Sequence, residues 1–111
     1  MSESILEEAM RLTGKDRNKD YGHPLDDYVR TAALWTALLH HKLKPGETIE
    51  WDDAIRCMCA VKLSRDVNRR KRDNMADLAG YAHCRQWAED EEAMRLNEGA
   101  HILDDPPCKP D

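Results

Sequence analysis

The sequence predicts an all-α protein, a four-helix bundle-like single domain that ends in a flexible acidic C-terminal tail. In four segments, apolar residues recur at spacings of three and four, which is typical of amphipathic helices. Glycine and proline residues separate these segments, and no apolar alternation of period two extends beyond about four residues. Because 111 residues fit one domain, we assign residues 1–96 to a helical domain and residues 97–111 to the tail.

The first two helices are predicted over residues 4–13 and 24–42. Ser4 and Glu7 form a capping box, in which each side chain accepts a hydrogen bond from a free backbone N–H of the first turn. A polar loop follows, and Pro24 suits the first turn of the second helix. The apolar stripes of both helices indicate that each packs one face on a shared core.

Two further helices are predicted over residues 49–67 and 73–95. Thr48 is the predicted N-cap of the third helix, because its hydroxyl is suited to accept a hydrogen bond from the first turn. The residues of the fourth helix that are expected to face the core are Met75, Leu78, Ala79 and Ala82. The prolines after Asp104 are incompatible with a helix, so we expect a mobile tail.

Charge is distributed unevenly along the chain. The net charge is −5, and residues 89–111 alone contribute −6, with eight acidic and two basic residues. Residues 1–88 carry a net charge of +1. A nearly neutral body with an acidic tail argues against nucleic-acid binding, so we interpret the basic run at 69–72 as a solvated connection.

The composition predicts a cytoplasmic protein that does not enter a membrane. The four cysteines show no CxxC spacing, and residues 1–13 resemble an acidic amphipathic helix rather than a basic and then apolar leader. No run approaches the ~18 apolar residues that a membrane span needs. We expect free thiols and no zinc site, because Cys57 and Cys59 would point to different faces of a helix.

The loop from Asp20 to Pro24 places Tyr21 and His23 on either side of Gly22. Two rings beside an exposed backbone suit stacking on a nucleobase or hydrogen bonding to a phosphate. The alternative is a helix-entry turn in which Tyr21 packs and His23 caps the second helix. The sequence leaves both interpretations open.

Lys62 and Arg65 lie three residues apart and therefore share a face of the third helix. Lys62 is close to the apolar stripe, where a charge needs a partner. One interpretation is an anion site for phosphate. The alternatives are a lysine whose ammonium group reaches solvent, or a salt bridge to a carboxylate of the fourth helix.

Asp73, Asp77 and Tyr81 are spaced by four and share one stripe of the fourth helix. Two carboxylates one turn apart are suited to hold Mg²⁺ through oxygen ligands. Gly80 costs ~1 kcal/mol relative to alanine inside a helix, which indicates that a backbone or a ligand approaches there. Alternatively, Asp73 is only an N-cap and Asp77 pairs with a cation of the third helix.

The stretch from Ile5 to Ala82 resembles a family of small uncharacterised proteins of tailed bacteriophages. Four motifs carry the resemblance, namely DYGHP at 20–24, AALW at 32–35, K-x-x-R at 62–65 and D-x-x-x-D-x-A-G-Y at 73–81. The resemblance implies a phage-encoded protein that acts in the cytoplasm of the host cell.

More distantly, the chain resembles the all-α nucleotide pyrophosphohydrolases of the MazG type. Those enzymes bind Mg²⁺ through an ExxE and a later ExxD motif and split nucleoside triphosphates into monophosphate and pyrophosphate. Glu47 and Glu50 form an ExxE in this sequence. Asp77 matches the aspartate of the second motif, with Asp73 one turn earlier, whereas Asn74 stands in place of its glutamate.

The first predicted function is a Mg²⁺-dependent nucleoside triphosphate pyrophosphohydrolase. Its catalytic and metal-binding residues would be Asp73 and Asp77. The predicted phosphate- and nucleotide-binding residues are Lys62, Arg65, Tyr21, His23 and Tyr81. A homo-oligomer is expected, because a chain of 111 residues buries one core that is not deep. Asp20 or carboxylates of a neighbouring subunit would have to complete the metal site.

The second predicted function is a protein that sequesters a nucleotide or a signalling molecule without turnover, using the same cationic and aromatic groups. A third is a protein-binding module with Trp35, Trp51 or Trp87 at an interface. Substitution of both candidate carboxylates would separate the first two, because it abolishes turnover but spares anion binding.

Overall fold

The computed structural model describes residues 3–14 and 19–104, with side chains up to residue 99. Every regular element in these residues is helical, which confirms the all-α expectation. The elements are α1 (Ile5–Leu12), α2 (Pro24–Leu39), a 3₁₀ helix (His40–Lys42), α3 (Trp51–Asn68) and α4 (Arg72–Asp104).

The predicted capping box at the start of α1 is confirmed. The Oγ of Ser4 accepts a hydrogen bond from the N–H of Glu7 at 3.0 Å. The Oε1 of Glu7 accepts from the N–H of Ser4 at 3.3 Å. Two of the backbone donors that a helix start leaves free are thereby paired.

The second predicted helix changes type before its end. The α-helical part stops at Leu39 and a 3₁₀ turn continues to Lys42, so the helix predicted over about 24–42 is confirmed and its last turn is of the 3₁₀ type. The N–H of Leu43 donates to the carbonyl of His40 at 3.1 Å, which is the tighter i to i+3 pattern. Gly46 then supplies a positive φ of 82° for the turn that follows.

Thr48 is not the N-cap of α3, contrary to prediction. Its hydroxyl donates to the carboxylate of Glu50 at 2.7 Å, and the N–H of Glu50 donates to Oδ2 of Asp53 at 3.0 Å. The helix begins one residue after Glu50. Its entry is set by a contact with α2, in which the N–H of Ile49 donates to Oγ1 of Thr36 at 2.9 Å.

Helix α4 is the element on which the others pack. α1, α2 and α3 all contact it, and α2 also contacts α3. In a regular four-helix bundle each helix has two neighbours, so a helix with three is a departure from the predicted architecture. The buried stripe of α4 consists of small residues at intervals of four, namely Ala76, Gly80, Cys84 and Ala88.

The prediction of which face of α4 is buried was wrong. Met75 is 36% exposed and Ala82 is exposed, whereas the neighbouring stripe is buried. α4 carries apolar residues on adjacent stripes, and the smaller residues are buried because three helices approach it closely. Around this stripe the core cluster contains Tyr28, Ala32, Ala54, Ile55 and Cys84.

Helix α4 continues to Asp104, beyond the predicted end at residue 95. Residues 105–111, which form the rest of the predicted tail, lie outside the described residues. The division of the chain after residue 96 therefore stays a prediction.

The fit of α1 against Gly80 is expected to depend on one methyl group. A Cβ added at Gly80 would lie 3.2 Å from Cγ2 of Thr13, which is buried and bonded to Ala9. In the Thr13→Ser background, Gly80→Ala should stabilise the fold by ~1 kcal/mol through helix propensity. In the wild type, the contact of the new methyl group with Thr13 should cancel most of this gain. The free energies of unfolding in urea should therefore show a coupling of at least ~0.5 kcal/mol between the two positions. Equal gains in both backgrounds would contradict the close approach.

The ion pair between α2 and α4 predicts a loss of stability in acid. The carboxylate of Asp26 contacts the guanidinium of Arg95 at 2.6 and 3.0 Å, and this hydrogen bonding holds the pKa of Asp26 below its ordinary value of 3.8. Because the pKa is lower in the folded state, the ionised carboxylate stabilises the fold at pH values above 3.8. This stabilisation is lost as the pH falls through the lowered pKa of the folded state. Asp26→Asn should therefore lower the Tm at pH 7 and do so less at pH 3. The effect should be small, because both side chains are about half exposed.

The Tm of both proteins between pH 7 and pH 3 measures this effect. In an Arg95→Gln background, Asp26→Asn should lower the Tm at pH 7 by less than in the wild type, because only Arg30, His23 and the helix N-terminus then stabilise the Asp26 charge. This background provides the control. A pH-independent difference between the wild type and Asp26→Asn would rule out the ion pair as its cause.

Candidate anion-binding groove

Helices α3 and α4 run antiparallel and meet at a tight turn. Trp51 at the start of α3 donates from Nε1 to Oε2 of Glu92 at 2.8 Å, far along α4. Near the turn, Asn74 donates to Asp66. Residues near the end of α3 are therefore brought beside those that begin α4.

The turn itself is locked by side chains. Oδ1 of Asp66 accepts from the N–H of Lys71 and from Nδ2 of Asn74, both at 3.2 Å. Asn74 is only 6% exposed, and its N–H donates to the carbonyl of Lys71 at 3.1 Å. A buried amide with these partners fixes the positions of the basic residues in the turn.

Lys62 and Asp77 form a salt bridge across the two helices. Nζ of Lys62 lies 2.8 Å from Oδ2 of Asp77, and the lysine side chain is only 16% exposed. The sequence left three interpretations of Lys62 open, and the structure shows the salt bridge to the fourth helix. The two charges neutralise each other. A mostly buried ammonium group needs such a counter-ion.

A groove of ≈ 490 Å³ lies between the end of α3 and the start of α4. We call it the basic groove. It is lined by Lys62, Ser64, Arg65, Asn68, Arg69, Lys71, Asp73, Asn74 and Asp77. Four lining residues are basic and two are acidic, so the groove carries a net positive charge.

Three of the cations in the basic groove lack a carboxylate partner. Within residues 3–14 and 19–99, no carboxylate lies within 4 Å of the charged groups of Arg65, Arg69 or Lys71. The neighbouring Arg72 is drawn away, because it pairs with Glu8 of α1. The basic groove therefore presents positive potential that is not compensated by the protein, which suits an anion.

The two carboxylates of the predicted magnesium site, Asp73 and Asp77, lie in different environments. Asp77 already contacts Lys62, and a metal would have to displace an ammonium group that is mostly buried. In the part of the chain with described side chains, no group of three or more His, Cys, Asp or Glu residues could hold a metal. Asp73 is exposed and adds a single carboxylate.

The structure separates His23 and Tyr21 from the basic groove. His23 lies against Trp87 with ring centroids 5.1 Å apart, and its Nε2 is 3.8 Å from Oε1 of Glu91. These positions on α4 are ten and fourteen residues beyond Asp77, a distance of about 15–21 Å along the helix. The predicted nucleotide-binding residues therefore do not form one site within a single chain.

His23 also has a structural role. Its Nδ1 accepts a hydrogen bond from the N–H of Leu25 at 3.1 Å and caps α2. The His23 cap of the helix-entry alternative is thus confirmed, whereas the packing of Tyr21 that it also predicted is wrong, because that side chain is mostly exposed. Tyr21 is 55% exposed, and its carbonyl oxygen accepts from Arg30 at 3.2 Å.

Tyr81 lies one turn beyond Asp77 and is partly buried against the core. It lines a second cavity of ≈ 160 Å³ beneath α1, which Asp77 and Gly80 also border. The sequence indicated that Gly80 allows a close approach, and the approaching residue is Thr13, which caps the C-terminal end of α1.

Sequence reasoning found Lys62, Arg65, Asp73 and Asp77, and all four line the basic groove. It missed Arg69 and Lys71, which were interpreted as a solvated connection. The signal that could have found them is the turn itself: in an antiparallel hairpin, residues on both sides of a short connection lie close together.

Comparison with known proteins identifies the family. Residues 4–88 match the family model of DUF6378, which is described as a domain of unknown function. The chain belongs to the DUF6378 family. No solved structure matches the chain significantly.

Two curated relatives of this DUF6378 chain come from mycobacteriophages. The Gene 55 protein of Mycobacterium phage D29 is 39% identical over 85 residues, which cover 76% of this chain and 52% of that protein. The Gene 55 protein of Mycobacterium phage L5 is 32% identical over 80 residues, which cover 71% and 48%. The chain thus spans about half the length of these relatives.

These matches confirm the phage part of the predicted resemblance and give no support to the MazG-type part. The four motifs DYGHP, AALW, K-x-x-R and D-x-x-x-D-x-A-G-Y all lie within the matched residues 4–88. In the described part of the chain, no helix is both long enough and apolar enough to span a membrane.

The unequal burial of Lys62 and Asp77 predicts unequal effects of their substitution. The Asp77 side chain is 36% exposed and that of Lys62 only 16%. Asp77→Asn leaves the more buried charge without a counter-ion and should destabilise the fold by about 1 kcal/mol. Lys62→Met leaves a carboxylate with more access to water and should cost less. Urea unfolding measures both, and a larger cost for Lys62→Met would contradict the assignment.

Proposed function

We propose that this protein binds the phosphate groups of a nucleotide in the basic groove, without a resident metal and without turnover. The observation that carries the proposal is the convergence of Arg65, Arg69 and Lys71 on one groove with no carboxylate partner in the described residues. Arginine and lysine side chains are the usual donors to phosphate oxygens. A volume of ≈ 490 Å³ lies within the range of small-molecule sites.

The salt bridge between Lys62 and Asp77 supports binding over hydrolysis. A MazG-like magnesium-dependent mechanism requires free carboxylates, and Asp77 is paired. The pair also keeps the Asp77 charge from repelling an anion in the groove. Lys62 then has two roles, since its ammonium group neutralises Asp77 and borders the phosphate-binding surface.

The lining of the basic groove contains no aromatic residue, so the proposal assigns recognition to the phosphates rather than to the base. Asn68, Asn74 and Ser64 are the polar neutral residues beside the cations. The amide of Asn68 and the hydroxyl of Ser64 are suited to hydrogen-bond a phosphate or a ribose, whereas the amide of Asn74 is already bonded to Asp66 and Arg69. Sequestration of a nucleotide or a signalling nucleotide in the host cytoplasm is the role that fits such a site.

Thermal-shift and titration experiments with adenosine triphosphate and inorganic tripolyphosphate test the proposal. A ligand at 100 times its Kd should stabilise the protein by about 2.7 kcal/mol, which raises the Tm of a domain of this size by roughly 10 °C. Both ligands should raise the Tm without Mg²⁺. The paired substitution Arg65→Ala with Arg69→Ala should raise the Kd at least about tenfold, because each lost charged hydrogen bond costs about 1.5 kcal/mol or more.

Two control variants distinguish the outcomes. Lys42→Ala removes an exposed cation outside the basic groove and should leave the Kd unchanged. Asp73→Asn removes a negative charge from the groove and should tighten binding. Weakened binding in Asp73→Asn, together with Mg²⁺-dependent release of pyrophosphate, would instead support the hydrolase. No shift with either ligand would rule out both nucleotide functions.

A further inference from the structure

The cavity of ≈ 160 Å³ beneath α1 meets the basic groove at one residue. Asp77 lines both of these spaces. Its side chain is 36% exposed, and Nζ of Lys62 contacts Oδ2 of the carboxylate at 2.8 Å. A ligand that fills the basic groove as far as Asp77 therefore reaches the edge of the cavity. We name this space the α1 cavity, and the residues that also line it include Ala9, Leu12, Ala76 and Tyr81.

The α1 cavity has a buried floor and an exposed rim. Ala9, Ala76 and Cys84 form the floor, and each of them is at most 3% exposed. Leu12 is 47% exposed and lies at the rim, as does Asp77. A residue of the rim is thus shared with the basic groove, so the groove adjoins the side on which the cavity is open.

The close contact at the end of α1 keeps the α1 cavity from collapsing. A Cβ added at Gly80 would lie only 3.2 Å from Cγ2 of Thr13, so little room remains for α1 to move closer to α4. Ala9 and Ala76 carry single methyl groups, which do not fill the space beside this contact. Voids of this size are few in a protein domain, because side chains normally pack to fill the interior. A space that the fold holds open in this way is suited to receive a ligand.

The size and the lining of the α1 cavity suit one six-membered ring. A cavity of about 150 Å³ with apolar walls accommodates benzene. The lining here consists mostly of small and apolar residues, and Tyr81 adds an aromatic ring against which a planar base can pack. A pyrimidine base is a single six-membered ring, whereas a purine base has a second ring fused to it. The volume of the α1 cavity therefore favours the base of a pyrimidine nucleotide over that of a purine nucleotide.

We propose that the α1 cavity binds the base of a pyrimidine nucleotide whose phosphates lie in the basic groove. This inference rests on the proposed function, because the phosphates in the groove bring the base to the edge of the cavity. The two spaces then have different roles. Arg65, Arg69 and Lys71 bind the phosphates, which all nucleotides share, and the α1 cavity selects among the bases.

The ribose lies at Asp77 in this arrangement, since it joins the base to the phosphates. Lys62 contacts one oxygen of the Asp77 carboxylate, Oδ2. A carboxylate has several lone pairs that accept hydrogen bonds, so Asp77 is suited to accept from a ribose hydroxyl while it keeps its contact with Lys62. The lysine also neutralises the carboxylate, which allows Asp77 to lie beside bound phosphates without repelling them.

The first test compares the Kd of several ligands for the full chain, measured by isothermal titration calorimetry without Mg²⁺. The ligands are the triphosphates of cytidine, uridine, adenosine and guanosine, together with inorganic tripolyphosphate. The nucleotides carry the same phosphates, so a difference in Kd among them arises from the base. The two pyrimidine nucleotides should bind at least about tenfold more tightly than the two purine nucleotides, because only their bases fit the α1 cavity.

The second test fills the α1 cavity. Ala9→Leu and Ala76→Leu each place a larger side chain at its floor, the first from α1 and the second from α4. Either variant should raise the Kd of cytidine triphosphate by about tenfold or more and leave the Kd of tripolyphosphate unchanged, because the basic groove is not altered. The matched control Ala82→Leu makes the same substitution at an exposed position of α4 outside the cavity, and it should leave both Kd values unchanged.

Two results would overturn this inference while the proposed function stands. One is an equal Kd for pyrimidine and purine nucleotides, and the other is a filled variant that binds both tripolyphosphate and cytidine triphosphate as tightly as the wild type does. A wild type that binds none of the ligands would overturn the proposed function and this inference together. If circular dichroism shows that both filled variants are unfolded, the comparison of ligands on the wild type decides.

Discussion

The structure depends on a constraint in α4, which must accept three other helices along one face. The stripe of Ala76, Gly80, Cys84 and Ala88 meets this requirement, because small side chains at intervals of four let helix axes approach closely. The contact of Gly80 with Thr13 shows how little space remains for α1. Such a stripe buries little apolar area, so the fold gains less from its own core than its length would suggest.

Exposed apolar residues and unpaired cations both lie on the α3–α4 hairpin. Large apolar residues remain on the outer side of the α3–α4 hairpin, while the inner side of its turn carries unpaired cations. Lys62 and Asp77 lie at the boundary, where their salt bridge permits a charge near the core. One short turn, locked by Asp66 and Asn74, therefore supports two different surfaces. One is suited to an anion, and the other is apolar and exposed.

Membership of the DUF6378 family and the mycobacteriophage relatives establish a phage context, whereas the chemistry of the groove has to be argued from its residues. Two carboxylates one turn apart suggested a metal site. In the structure one of them is bound to an ammonium group and the other is exposed, and the magnesium site stays a prediction. Lys62 pairs with Asp77, which a metal ion would need as a ligand. The same pairing favours an anion, because it neutralises the nearest charge that would repel one.

The sequence by itself determined the all-α class, the capping box at Ser4 and Glu7, the cap at His23 as one of two alternatives, and four residues of the basic groove. These are local properties, set by helical spacing and by side chains within a turn of one another. Only the tertiary structure decided which apolar stripe of α4 is buried, that Lys62 pairs with Asp77, and that His23 lies far from both. The physical reason is that each depends on the rotation and position of one helix against another, and adjacent apolar stripes leave that rotation undetermined until the helices pack.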